Sequence, residues 1–70
     1  MIEPFAAVEI IATKRDRGEL NDAQIDWVIS AYGRGIVADE QMSALLMAIF
    51  LNGMNSRESS SWAKAMIDSV

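Results

Sequence analysis

The sequence predicts an all-α fold, a small four-helix bundle, on three observations. Four segments repeat apolar residues at helical spacing. Short breaks carrying Gly, Asn and Asp separate them. No Pro follows Pro4, and no alternating run is long enough for a strand. The expected helices cover about 4–17, 22–32, 40–52 and 56–69.

The first helix is expected to begin at Pro4, whose missing N–H costs nothing in a first turn. Glu3 suits the positive end of its dipole, and Lys14, Arg15 and Arg17 suit the negative end. Gly18 is the expected stop, because glycine enters the left-handed conformation without a Cβ clash. In the second helix, Ile25, Val28, Ile29 and Tyr32 form one apolar stripe. Asn21 and Gln24 have capping-box spacing at its start, and Gly33 and Gly35 break it. The third helix is expected to start at Asp39 as N-cap and to end at Gly53. In the fourth, Asn55 and Glu58 repeat the capping-box spacing, and Trp62, Ala65, Met66 and Ser69 form the inward face. Breaks this short favour antiparallel neighbours in a bundle. The last helix meets no glycine cap, so Val70 reads as an excision point.

Composition narrows the function classes. Seventy residues make one small domain, and a chain this short has a marginal core. There is no Cys and no His, so disulfides and the usual zinc ligands are excluded. A partner surface remains as the source of extra stability. The net charge is −4, and the one basic cluster, Lys14, Arg15 and Arg17, sits beside Asp16 and Glu19. Nucleic-acid binding, which needs a basic stripe, is not expected. No apolar run approaches the roughly 20 residues of a spanning helix. The start Met-Ile-Glu-Pro lacks the positive region of a signal peptide, and a cytoplasmic location is expected.

The third helix has two apolar sides. At about 100° per residue, Met42, Leu45, Leu46 and Ile49 share one, and Ala44, Met47, Ala48 and Leu51 share most of the other. A helix apolar all round must be covered all round. The first helix has a similar excess: Phe5, Val8 and Ala12 make one face while Ala7, Ile10 and Ile11 spread over others. Helices 1 and 3 are therefore expected to form a two-fold dimer, with Ile10, Ile11, Ala44, Met47, Ala48 and Leu51 as candidate interface residues.

Catalytic patterns are missing. Ser59, Ser60 and Ser61 have no His to activate them. Asp39 and Glu40 adjoin, and consecutive helical residues do not face each other. Gly33-Arg34-Gly35 is a fragment of a phosphate loop with no preceding strand. Lys14 and Arg34 read as isolated surface cations, and Trp27 and Trp62 as core or interface residues. Read by residues alone, the chain is a helical interaction domain, which leaves a free-standing dimerisation or adaptor module open.

The run Ile11-Ala12-Thr13-Lys14-Arg15-Asp16-Arg17-Gly18-Glu19-Leu20 resembles the opening I-x-x-K-R-D-G-x-x-L of the thymidine/pyrimidine nucleoside phosphorylase family. Arg17 precedes Gly18 here, which reads as a one-residue shift of spacing. Ile25 to Tyr32, Gly35 and Asp39 to Ile49 are similar to the family's G-Y-x-x-G-x-I-x-D-x-Q-M-x-A-x-L-M-A-I. Gly53-Met54 with Glu58 resembles G-M-x-x-x-E, and Ala65-Met66 with Ser69 resembles A-M-x-x-S-G, with Val70 in place of the Gly. The anthranilate phosphoribosyltransferases share such a helical domain but usually lack these methionines, and rank second.

The resemblance implies a glycosyltransferase family 3 type helical bundle, with residues 1–70 as the N-terminal domain of a longer enzyme. Such enzymes are homodimers in which hinges join a small helical domain to a large α/β domain. They convert a pyrimidine nucleoside and phosphate into the free base and a pentose 1-phosphate. Phosphate is held by a Lys- and Ser/Gly-rich motif in the α/β domain, and the base by Arg, Ser and Lys from later in the chain. None of those motifs is present here, so no catalytic, cofactor-binding or metal residue carries over, no cofactor is implied, and the chain is not expected to be active alone.

Overall fold

A computed structural model describes residues 3–68. It contains four helices: α1 (Ala7–Arg15), α2 (Asp22–Gly33), α3 (Asp39–Asn52) and α4 (Ser56–Asp68). No strand occurs among the described residues. α1 packs on α3, and α2 packs on α4. The Asn52 side chain, at the end of α3, donates to the carbonyls of Lys14 (2.9 Å) and Arg15 (3.2 Å), at the end of α1. The two C-terminal ends therefore lie together. Ile10, Leu20, Ile25, Val28 and Leu45 form the dry centre, and Phe5, Ile11, Ile49 and Trp62 pack around it.

α1 starts three residues later than Pro4 because the preceding segment has other partners. Glu3 accepts hydrogen bonds from Trp27 Nε1 (2.8 Å) and Arg34 Nη2 (3.2 Å). Phe5 meets Trp27 edge to face, with ring centroids 6.1 Å apart. Residues 3–6 thus lie along α2, and extended Ala6 becomes the N-cap. The inward residues of α1 are Ala7, Ile10 and Lys14, one helical stripe, while Val8 faces out.

The ends of α1 and α2 use the same device. In each, the residue two beyond the C-cap returns its N–H to the helix, from Gly18 to the Thr13 carbonyl (2.6 Å) and from Ile36 to the Ala31 carbonyl (2.9 Å). The residue between takes the left-handed conformation. After α2 this is Gly35 (φ 79°), but after α1 it is Arg17 (φ 67°), not the expected Gly18. The family motif's Gly therefore aligns with position 17. This chain has Arg17 where the quoted motif has Gly, and the spacing is not shifted, since Leu20 keeps its place. Gly18 is needed for a different reason: a Cβ there would lie 2.8 Å from Thr13 Cγ2 and 2.9 Å from the Thr13 carbonyl oxygen. A side chain in the left-handed conformation costs about 1 kcal/mol. Arg17→Gly should stabilise the dissociated chain by roughly that amount, raising Tm by about 4–8 °C. Thermal unfolding by circular dichroism, at a concentration too low for self-association, checks this.

Both Asn capping boxes form. Asn21 Oδ1 accepts from Gln24 N–H (2.8 Å) while Gln24 accepts from Asn21 N–H (2.9 Å). Asn55 and Glu58 do the same at α4 (2.8 and 3.1 Å). The N-cap of α3 is Ala38, not Asp39. Ala38 has no side chain that can cap, and Gln41 reaches back to its N–H (3.0 Å). Asp39 accepts instead from the Tyr32 hydroxyl (2.9 Å), which turns Tyr32 outward from the stripe expected to bury it. On α4, Ala65 is buried and Trp62 half-buried, while Met66 is exposed. Ser69, also expected inward, lies outside the described residues.

Candidate functional surface

Lys14 is not a surface cation. It is buried and pairs with the equally buried Glu58, with Nζ 3.2 and 3.1 Å from the two carboxylate oxygens. Glu58 also accepts from the backbone N–H of Leu20 (2.8 Å) and of Asn55 (3.1 Å). One carboxylate therefore joins the end of α1, the α1–α2 loop and the start of α4, and Asn52 adds the end of α3. Burial pushes the Glu58 carboxyl up, but the Leu20 and Asn55 N–H groups and the Lys14 ammonium outweigh it and hold it below the ordinary 4.5. Every polar contact of the pair is internal, so it is a structural clasp with no vacancy for substrate.

Arg57 reinforces the same end from outside, bonding to Glu19, Asp22 and the Leu20 carbonyl. A second polar group joins Glu3, Trp27 and Arg34. Arg34, read above as an isolated surface cation, is thereby directed onto Glu3. Ser61 donates to Asp22 (2.5 Å), a carboxylate that Arg57 also engages. Among the described residues no cluster of His, Cys, Asp and Glu could hold a metal ion, and no helix is long and apolar enough to cross a membrane.

What the bundle leaves outside is apolar. Met47 is 58% exposed, Leu51 70% and Phe50 82%. Leu46 and, on α1, Val8 are exposed as well. Two of the six candidate interface residues lie elsewhere: Ile10 is fully inside the core, and Ala48 is buried within the bundle. Ile10 lies on the inward stripe with Ala7 and Lys14, and Ala48 turns inward with Met42 and Leu45. Ile11 is half-buried against the core, and Ala44 is exposed beside Met47. Leu46, grouped by periodicity with Met42 and Leu45, is exposed where those two are buried. Phe50, which falls in neither stripe, is the most exposed large apolar side chain on α3.

The comparisons with known proteins agree with this architecture. A glycosyl transferase family, helical bundle domain, matches residues 8–70. The chain belongs to that family. Its similarity to individual members also covers most of its length. It is 58% identical over 65 residues to the thymidine phosphorylase of Mycobacterium tuberculosis, covering 93% of this chain and 15% of that protein. It is 44% identical over 62 residues to the pyrimidine-nucleoside phosphorylase of Geobacillus stearothermophilus, covering 89% and 14%. It is 42% identical over 67 residues to the thymidine phosphorylase of Mus musculus, covering 96% and 14%. The chain thus spans about one seventh of the length of the curated relatives it matches.

For this helical bundle domain, the motif residues noted in the sequence have structural duties. Lys14 of the K-R-D motif and Glu58 of the G-M-x-x-x-E motif are the two halves of the clasp, 44 residues apart in sequence. Gln41 caps α3 and Met42 lies in the core. Gly53 ends α3 at φ 79°.

Proposed function

We propose that this bundle is the N-terminal helical domain of a pyrimidine nucleoside phosphorylase, and that its task is to assemble two subunits. The enzyme containing it would convert a pyrimidine nucleoside and phosphate into the free base and a pentose 1-phosphate, in the cytoplasm. The observation that carries the reading is the match to phosphorylases over nearly the whole chain, joined to an exposed apolar face on α3. Catalysis would belong to an α/β domain that these residues do not supply, as the family resemblance implies. Burying Met47, Phe50 and Leu51 against a partner would contribute roughly 1.5–3 kcal/mol each before the entropy of association is subtracted. That is a sufficient driving force for a homodimer through the α1–α3 side.

The test is phosphate-dependent release of thymine from thymidine, followed for the 70-residue chain and for the same chain continued into an α/β domain of this family. The longer protein should turn over and the bundle should not. Turnover by the bundle alone, or none by a folded longer protein, would refute the assignment.

A further inference from the structure

Of the asparagines in the chain, Asn21, Asn52 and Asn55, only Asn52 is followed by glycine. Asn21 and Asn55 use their side chains in capping boxes, and Asp22 and Ser56 follow them. Asn52 is the last residue of α3. Its side-chain amide ties that end to α1 through the Lys14 and Arg15 carbonyls (2.9 and 3.2 Å). Gly53 is exposed, and apart from its chain neighbours no heavy atom lies within 4 Å of where a Cβ would stand. Nothing therefore crowds its backbone nitrogen from that side. In the closed bundle the nitrogen is engaged, donating to the Ile49 carbonyl (2.6 Å).

We propose that Asn52–Gly53 is a site of spontaneous deamidation, closed while α3 is held on α1 and opened when its last turn frays. The chemistry needs only water. The Gly53 nitrogen loses its proton to hydroxide and attacks Asn52 Cγ. The new N–Cγ bond closes a five-membered imide, the Cγ–Nδ2 bond breaks, and the side-chain nitrogen takes a proton from water and leaves as ammonia. A second water then opens the imide. Cleavage of the N–Cγ bond gives aspartate. Cleavage of the bond to the main-chain carbonyl carbon gives isoaspartate, in which the chain runs through the former side chain. Hydrogen bonds guard the first step. The Gly53 N–H must leave the Ile49 carbonyl to lose its proton, and the Asn52 amide must leave α1 to turn toward it. The rate thus follows local opening of this end of the bundle.

The product holds α3 less well. A carboxylate accepts and does not donate, so both bonds to α1 are lost. The new negative charge stands at the negative ends of α1 and α3. It also shares a hollow with the Glu58 carboxylate, whose charge Lys14 already balances. Conversion therefore weakens the joint that made it slow.

Peptide mapping by mass spectrometry tests this on the 70-residue chain, aged in mildly alkaline buffer with and without guanidinium chloride. Circular dichroism follows the fold. The mass gain of amide-to-acid conversion should appear at position 52 and not at 21 or 55, as both aspartate and isoaspartate. It should form at least about tenfold faster in denaturant. Asn52→Gln, which cannot close a five-membered imide, should show no such gain. Asn52→Asp should lower Tm by about 10 °C, and by more than Asn52→Ala does. Conversion at another asparagine, equal rates in the two buffers, or none in denaturant would overturn the proposal. An Asn52→Asp chain as stable as the parent would overturn the weakened joint.

Discussion

Glu58→Ala should unfold the bundle at room temperature or bring it close to unfolding. The substitution leaves the Lys14 ammonium buried with no counter-charge and the N–H groups of Leu20 and Asn55 without their acceptor. Breaking one side of a buried ion pair costs about 3–5 kcal/mol, and a domain of this size has little more than that in total. Urea unfolding followed by circular dichroism measures the loss. Lys14→Met combined with Glu58→Leu should cost less than Glu58→Ala alone, because no charge is then stranded in the core. Acid should reproduce the defect. The folded Glu58 carboxyl titrates below its ordinary 4.5, so the stability it contributes is complete above that value. It is lost as pH falls through the lower folded one. The Tm of the parent should hold steady from neutral pH down to about 4.5 and then drop. Glu58→Gln, which cannot titrate, should lack that part of the drop. Equal pH profiles for the two proteins would remove Glu58 from the account.

Met47→Glu should separate the subunits without harming the fold. In the bundle the side chain is 58% exposed, so a carboxylate there stays hydrated in the isolated chain. In the proposed dimer through this face, the carboxylate would be desolvated against the partner. Self-association should fall at least about 100-fold, roughly 3 kcal/mol, with helicity unchanged. Leu51→Glu should act in the same direction, and the analogous change at buried Ala48 should instead unfold the chain.

The fold was legible in the sequence because its cues are local. The Asn21–Gln24 and Asn55–Glu58 boxes, Gly53, and the stripe Ile25, Val28, Ile29 act within one or two turns, and all are found as expected. What escaped depends on distant partners. Pro4 suits a first turn, but Glu3 and Phe5 are held by Trp27 and Arg34, more than 20 residues away, and the helix starts later. Lys14 carries no local sign of burial, since its counter-charge is 44 residues on. Gly18 was the natural candidate for the left-handed position. The tight contact with Thr13 claims it, and the strained position passes to Arg17. On α3, periodicity shows that two sides are apolar but not where α1 lies, so it groups exposed Leu46 with buried Met42 and Leu45, and buried Ala48 with exposed Met47 and Leu51.

The proposed cover for the exposed Met47, Phe50 and Leu51 is an identical subunit. Analytical ultracentrifugation of the unaltered protein addresses that directly, across loading concentrations from about 1 µM to several hundred micromolar. The mass should climb from 7.7 kDa toward twice that value and stop. A mass fixed at 7.7 kDa at the highest loading would contradict the account.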